Sequence, residues 1–255
     1  MYQRGQDLIK KLEIMLRLKN LNKSYGRLKV IDNLSLAVSK GEMLGIIGPN
    51  GAGKTTLFSA ISGQISLDSG QIYFMEKDVT KLPAYKRCIA GIGRSFQIPR
   101  PFHGMTIFEN VRVAANFGGG LKGAAADEFA INAVELSGLI DRLNTPCSVL
   151  SLLDRKRLEL ARALATDPKL LLLDEIAGGL IEHEIHDLIE ILKVIGQRGI
   201  SIIWIEHIVH ALTSCVDRLL VINFGLKIAD GDPDEVMALP QVHEIYMGLD
   251  VNDAA

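Results

Sequence analysis

The sequence has 255 residues, 48% of them apolar and 23% charged, with a formal net charge of −2. That is the profile of an ordinary globular chain long enough to bury a core, and it gives no electrostatic footprint for nucleic acid. Three scattered cysteines, Cys88, Cys147 and Cys215, suit neither a disulfide framework nor a metal site, and no apolar run approaches the roughly 18 residues of a membrane span.

Residues 1–14 read as an N-terminal extension, because Met15 directly precedes the first strand pattern; Asp7, Lys10, Lys11 and Glu13 among its apolar residues argue against a secretory signal. Leu16, Leu18 and Leu21, then Val30, Ile31, Leu34, Leu36 and Val38, predict strands broken at Tyr25-Gly26 and Ser39-Lys40-Gly41. Met43-Leu44-Gly45-Ile46-Ile47 predicts a buried strand, and Leu57-Phe58-Ser59-Ala60-Ile61 opens a helix. Between them lies Gly48-Pro49-Asn50-Gly51-Ala52-Gly53-Lys54-Thr55-Thr56. Strand, Gly-rich loop and helix form the setting that the pattern G-x-x-x-x-G-K-[ST] requires. Glycines let successive N–H groups turn inward around a phosphate, and the helix N-terminus adds partial positive charge. Lys54 can reach the outer phosphates and the Thr55 hydroxyl can ligate Mg²⁺, so this stretch implies a bound nucleoside triphosphate.

Asp68-Ser69-Gly70 followed by Gln71-Ile72-Tyr73-Phe74 predicts a turn and strand, which with the earlier strands forms an antiparallel β layer. Residues 98–165 are helical in pattern, interrupted by Gly118-Gly119-Gly120 and Gly123, which read as a flexible loop. Beyond residue 165 the pattern alternates: strand 170–173, helix 182–195, strand 200–205, a strand region 216–224, and a C-terminal helix starting at 234–238. Such alternation predicts a mostly parallel sheet with helices on both faces. Leu170-Leu171-Leu172-Leu173-Asp174-Glu175 puts two carboxylates at the C-terminal end of a parallel strand, where ligands bind. Asp174 can hold Mg²⁺, and Glu175 is a candidate general base for an attacking water. His183 with His186, and His207 with His210, lack a third ligand at sensible spacing, so no metal site built from protein side chains alone is expected.

The order of phosphate loop, Ser95-Phe96-Gln97, Leu150-Ser151, Asp174-Glu175 and His207 resembles the ATP-binding subunit of an ABC transporter, from Leu16 to Gly248. Phe96-Gln97 with Gly104-Met105-Thr106, Glu109-Asn110-Val111, Ile205-Glu206-His207, the run from Asp230 to Val236, and Tyr246-Met247-Gly248 are similar to the branched-chain amino acid import subunits. The resemblance implies an α/β P-loop NTPase fold with a mostly parallel core sheet, an antiparallel β layer and a helical subdomain. Its divisions would be a nucleotide core at 15–96 and 166–236, the helical subdomain at 97–165, and a C-terminal helix and tail at 237–255. It also implies that Tyr25 stacks on adenine, that Gln97 touches Mg²⁺ and the lytic water, that His207 bonds the γ-phosphate, and that Ser151 faces the nucleotide of a second ATP-binding subunit. Two multi-span permeases would be the direct partners and an external substrate-binding protein an indirect one. The chain would then sit on the cytoplasmic face of the membrane. A regulatory cassette that hydrolyses little, and a soluble ATPase working on DNA or ribosomes, are the other readings; near-neutral charge and the lack of long heptads disfavour the last.

Two stretches depart from the family pattern. Where relatives carry Leu-Ser-Gly-Gly-Gln or Leu-Ser-Tyr-Gly-Gln, this chain has Leu150-Ser151-Leu152-Leu153-Asp154. Ser151 with Asp154 still predicts a helix cap. Leucine at 153 would be strained if its φ were positive, and Arg155, Lys156 and Arg157 are available to offset Asp154. After Glu175, Ile176-Ala177-Gly178-Gly179-Leu180-Ile181-Glu182 replaces the family's Pro-Ala-Ala-Gly-Leu-Asn-Pro, and Ile181 cannot make the polar contact of Asn or Asp.

Overall fold

The computed structural model of the chain describes residues 13–250, so most of the predicted extension and residues 251–255 lie outside the described residues. The strands are β1 Ile14–Tyr25, β2 Leu28–Ser39, β3 Met43–Ile47, β4 Ser69–Phe74, β5 Lys77–Asp78, β6 Ile92–Arg94, β7 Leu170–Asp174, β8 Ser201–Ile205, β9 Arg218–Asn223 and β10 Leu226–Gly231. The helices are α1 Lys54–Ile61, α2 Ala84–Ala90, α3 Ile107–Phe117, α4 Ala124–Leu136, α5 Leu152–Leu164, α6 Glu182–Gln197, α7 Val209–Thr213, α8 Pro233–Met237 and α9 Pro240–Asp250.

Two sheets organise the molecule: a four-stranded antiparallel one in the order β2-β1-β4-β5, and a six-stranded one in the order β10-β9-β3-β8-β7-β6. β1 and β2 form one long hairpin through the turn Gly26-Arg27, where Gly26 takes φ 60°. In the larger sheet every neighbouring pair is parallel except β9 with β10. β3, β7 and β8 are buried along their whole length, which is why they read as unbroken apolar runs. One apolar core lies between the two sheets around Phe58 and Leu44; the other lies on the opposite face around Trp204 and Leu173 and continues into α3, α4 and α5.

Several elements had no sequence signal. α2, β5, β6 and α7 are too short to show a period, and β10 hides behind the turn Phe224-Gly225, so the expected strand region 216–224 is the first arm of a hairpin. The C-terminal helix is two helices, broken before Pro240. Glycines 118–120 do fall in a loop, between α3 and α4. At 118 and 119, though, they permit close packing: a Cβ on Gly118 would stand 2.5 Å from Thr166 Cγ2, and one on Gly119 2.9 Å from the Ala115 carbonyl oxygen. The segments after β3, β6, β7 and β8 all leave the same edge of the sheet, and that edge carries the chemistry.

Candidate functional site: a phosphate loop and the carboxylates beside it

The loop after β3 is held so closely that two of its glycines admit no side chain. A Cβ on Gly48 would lie 2.1 Å from the Ile222 carbonyl oxygen, and one on Gly53, with φ 102°, 2.4 Å from the Val30 carbonyl oxygen. Gly53 caps α1, whose first hydrogen bond outside the loop is Leu57 N–H to the Gly53 carbonyl at 2.8 Å. The N–H groups of Lys54, Thr55 and Thr56 precede that bond and sit at the positive end of the helix. Lys54 is buried, and its ammonium donates to the carbonyls of Gly48 (2.7 Å) and Pro49 (3.0 Å), across the loop formed with Asn50, Gly51 and Ala52. Burial lowers its proton affinity, while Glu175 and then Asp174 oppose that shift.

Asp174 closes β7 and is 3% exposed. Its Oδ2 accepts from Arg94 at 3.0 Å, but its Oδ1 is buried with no hydrogen-bond partner. Burial pushes this carboxyl above the ordinary range, and Arg94 pulls it back. An oxygen left so is costly unless a cation or donor meets it. Thr55, Gln97 and Asp174 line one cavity of about 380 Å³, and hydroxyl, amide and carboxylate oxygens are the donors a small hard cation takes.

Glu175 follows in the left-handed region with φ 48°, unusual for a bulky residue, and its N–H donates to the Ile205 carbonyl at 2.9 Å. That turn brings its carboxylate between two groups from other elements. Gln97 Nε2 donates to Oε2, and His207 Nε2 lies 2.9 Å from Oε1. Gln97, Glu175 and His207, widely separated in sequence, therefore meet at one point.

Two predicted residues stand apart. Tyr25 is half-exposed at the turn end of the β1–β2 hairpin, with Lys23 Nζ 5.4 Å from its ring centre. Ser151 caps α5, accepting from Asp154 N–H at 3.1 Å as expected, and donates its hydroxyl to Asp154 Oδ2 at 2.7 Å. The Asp154 carboxylate is paired with Arg142, not with the three basic residues that follow it. Leu153 lies inside α5 and is absent from the residues of positive φ, so the anticipated strain there does not arise.

Three residues at this edge were missed in the sequence. Arg94 binds Asp174 and lies 5.8 Å from the ring centre of Phe58 and 5.3 Å from that of Phe96. Lys156, buried on α5, donates to the carbonyls of Glu175 (2.9 Å) and Gln97 (3.4 Å). Glu206, 1% exposed, accepts from Ala177 N–H (2.6 Å), Trp204 Nε1 (3.2 Å) and His207 N–H (3.3 Å). Burial pushes its carboxyl up to about 7 against those hydrogen bonds. For Glu206 one signal existed: a charged residue at the end of the apolar run 202–205.

Comparison with known proteins agrees with this edge. Residues 31–178 match the ABC transporter family. The high-affinity branched-chain amino acid transport ATP-binding protein LivG of Salmonella typhimurium is 34% identical over 249 residues, spanning 92% of this chain and 98% of that protein. The lipopolysaccharide export system ATP-binding protein LptB of Haemophilus influenzae is 34% identical over 92% of this chain and 97% of its own length. A crystal structure of the ADP conformation of an ATP-binding cassette of an ABC transporter superposes with a TM-score of 0.84 at 31% identity, covering 92% of this chain and 99% of that one. With a phosphate loop and an acidic strand end on one sheet edge, and relatives alike over almost their whole length, the chain belongs to the ABC transporter family, as an ATP-binding subunit whose ATPase activity is coupled to transport.

Proposed function

We propose that the chain hydrolyses ATP for an importer of branched-chain or related amino acids, with Glu175 as general base. The observation that carries the catalytic part is the meeting of Gln97 and His207 on the Glu175 carboxylate. The import part is supported by the LivG relatives, although LptB, named for export, matches at equal identity.

In this reading the triphosphate lies along residues 48–56, and Tyr25 stacks on the adenine. Lys54 gives up its loop carbonyls for the outer phosphates. Thr55, Asp174 and Gln97 would hold the Mg²⁺ that accompanies ATP; when bound, that ion offsets charge on the phosphate oxygens. Glu175 takes a proton from water as the water oxygen attacks the γ-phosphorus and the bond to the ADP oxygen breaks. His207 and Gln97 fix the carboxylate during that transfer and add donors toward the γ-phosphate. The Ser151 end of α5 would face the nucleotide of a second cassette, a copy or a sister chain.

The chain would sit on the cytoplasmic face of the membrane against two multi-span permeases and, through them, serve an external binding protein. Among the described residues no helix is long and apolar enough to cross a membrane. The segment after Gln97 supports docking to such a partner, because Ile98 and Phe102 are 66% and 46% exposed. A reading with weak hydrolysis is favoured by one observation only: the Ser151 hydroxyl is engaged by Asp154.

The test is Glu175→Gln in the assembled transporter. Loss of a general base lowers turnover by about 10²–10⁴-fold and traps an ATP-bound dimer. Unchanged steady-state turnover would show that Glu175 is not the base.

A further inference from the structure

α5 grips the loop that follows β6 along one face. Lys156, Glu159 and Arg162 recur every third residue and so lie on one side of the helix. Arg162 Nη1 donates to the Arg100 carbonyl at 2.9 Å and to Glu159 Oε2 at 2.9 Å. Nearly two helical turns before Arg162, the Lys156 ammonium reaches the Gln97 carbonyl and, at 2.9 Å, the carbonyl of Glu175 itself. Only 5% of Lys156 is exposed. An ammonium taken out of water is expensive to keep there, and burial does lower its proton affinity, with Glu206 and then Glu175 opposing the shift. Plain helix packing would be served as well by an apolar side chain.

We propose that Lys156 is a positioning residue for hydrolysis: its ammonium ties the main chain of Glu175 to that of Gln97 and both to α5. The geometry explains what needs tying. Glu175 sits in a left-handed turn that its own side chain does not favour, and beyond the buried Ile176 and Ala177 the chain runs into Gly178 and Gly179, which add no side-chain packing. The loop at Gln97 carries the amide that holds the Glu175 carboxylate. A cavity of about 300 Å³ separates these strands of chain, with Lys156 in its wall beside Leu152 and Pro99. Without the ammonium, the Gln97 carbonyl would lose its donor and the Glu175 carbonyl would keep only the long contact from Gly178 N–H at 3.4 Å. Because α5 also begins at Ser151, the tie couples the end facing a second cassette to this chain's own base. This inference rests on the assignment of Glu175 and Gln97 to catalysis.

The experiment compares Lys156→Met, which keeps length and removes the donor, with Lys156→Arg, which restores donors, and runs Glu175→Gln beside them in the assembled transporter. Steady-state kcat and KM, Mg·ATP affinity by calorimetry, and amide hydrogen exchange are read on each. Lys156→Met should lower kcat about tenfold or more, as expected for losing one charged hydrogen-bond donor, with KM and ATP affinity within about twofold. Exchange should rise at 97–100 and 175–179 together while the rest of the chain is unchanged, and Lys156→Arg should recover part of kcat. Full kcat in Lys156→Met while Glu175→Gln is inactive would overturn the proposal alone. A fall in kcat accompanied by exchange rising throughout the chain, or without any recovery in the arginine variant, would overturn it too, by marking a packing role. Wild-type turnover in Glu175→Gln would instead remove the catalytic reading beneath it.

Discussion

At the scale of single residues, the site is a set of buried charges held short of full satisfaction. Asp174 has one oxygen on Arg94 and one on nothing, and Lys54 shares its ammonium between two carbonyls. Glu206 gives this scale its sharpest prediction. Its carboxyl rises from 4.5 to about 7 on folding. Between those values the folded chain keeps a proton that the unfolded chain has released. The stability this group contributes is therefore complete below pH 4.5 and is lost as pH climbs through about 7, a span worth about 3 kcal/mol. Glu206→Gln copies the protonated form. Urea unfolding at about pH 5 and about pH 8 should show the wild-type stability difference shrink by about 2–3 kcal/mol in the variant; an unchanged difference would place the titration elsewhere. The phosphate loop, Asp174, Glu175 and His207 were legible in the sequence because each follows an apolar strand run or a fixed motif. Arg94 and Lys156 were not, because their partners, Asp174 and the carbonyls of Glu175 and Gln97, lie far along the chain and no spacing encodes them; Glu206 showed only as a charge ending the apolar run 202–205.

At the scale of elements, α5 is where this chain differs from the family pattern, and the helix itself is sound. Ser151 caps it, Asp154 pairs with Arg142, and Leu153 takes ordinary helical backbone. The feared strain came from assuming that the leucine inherits a glycine conformation. In the proposed reading the cost falls instead on chemistry: the Ser151 hydroxyl donates to Asp154 at 2.7 Å, and Leu152, 47% exposed, stands where the family pattern has glycine or tyrosine. Leu153→Gly combined with Asp154→Gln should raise turnover of the assembled transporter several-fold while lowering unfolding stability by about 2–4 kcal/mol through the helical glycine, the lost packing of Leu153 on the core and the lost pair. Turnover at or below the wild-type level would show that this segment does not limit the rate. β3, β7 and β8 were legible because each is a five-residue strand buried throughout and so reads as an unbroken apolar run, whereas β6 spans only Ile92–Arg94 and its pairing with β7 decides its existence.

At the scale of the whole molecule, the five parallel strands deliver their following segments to one edge, and the segment after Gln97 leads from that edge to an apolar outer surface. Pro101 is buried while Ile98 and Phe102 remain open, with Arg162 5.4 Å from the Phe102 ring centre. A partner seated there would reach the chemistry through Gln97. Ile98→Asp should leave Mg·ATP affinity within about twofold yet cut transport-coupled ATPase by about tenfold, since a carboxylate would be buried in the contact. Coupled activity equal to wild type would show that the membrane subunits sit elsewhere. Beneath all of this lies the claim that residues 48–56 grip a triphosphate. Calorimetry of the full chain with Mg·ATP tests it most directly, in wild type and in Lys54→Ala. The account predicts clear binding in the first and affinity weaker by at least about tenfold in the second, as removal of a charged phosphate contact requires. No binding by well-folded wild type, or equal affinity in both, would contradict it.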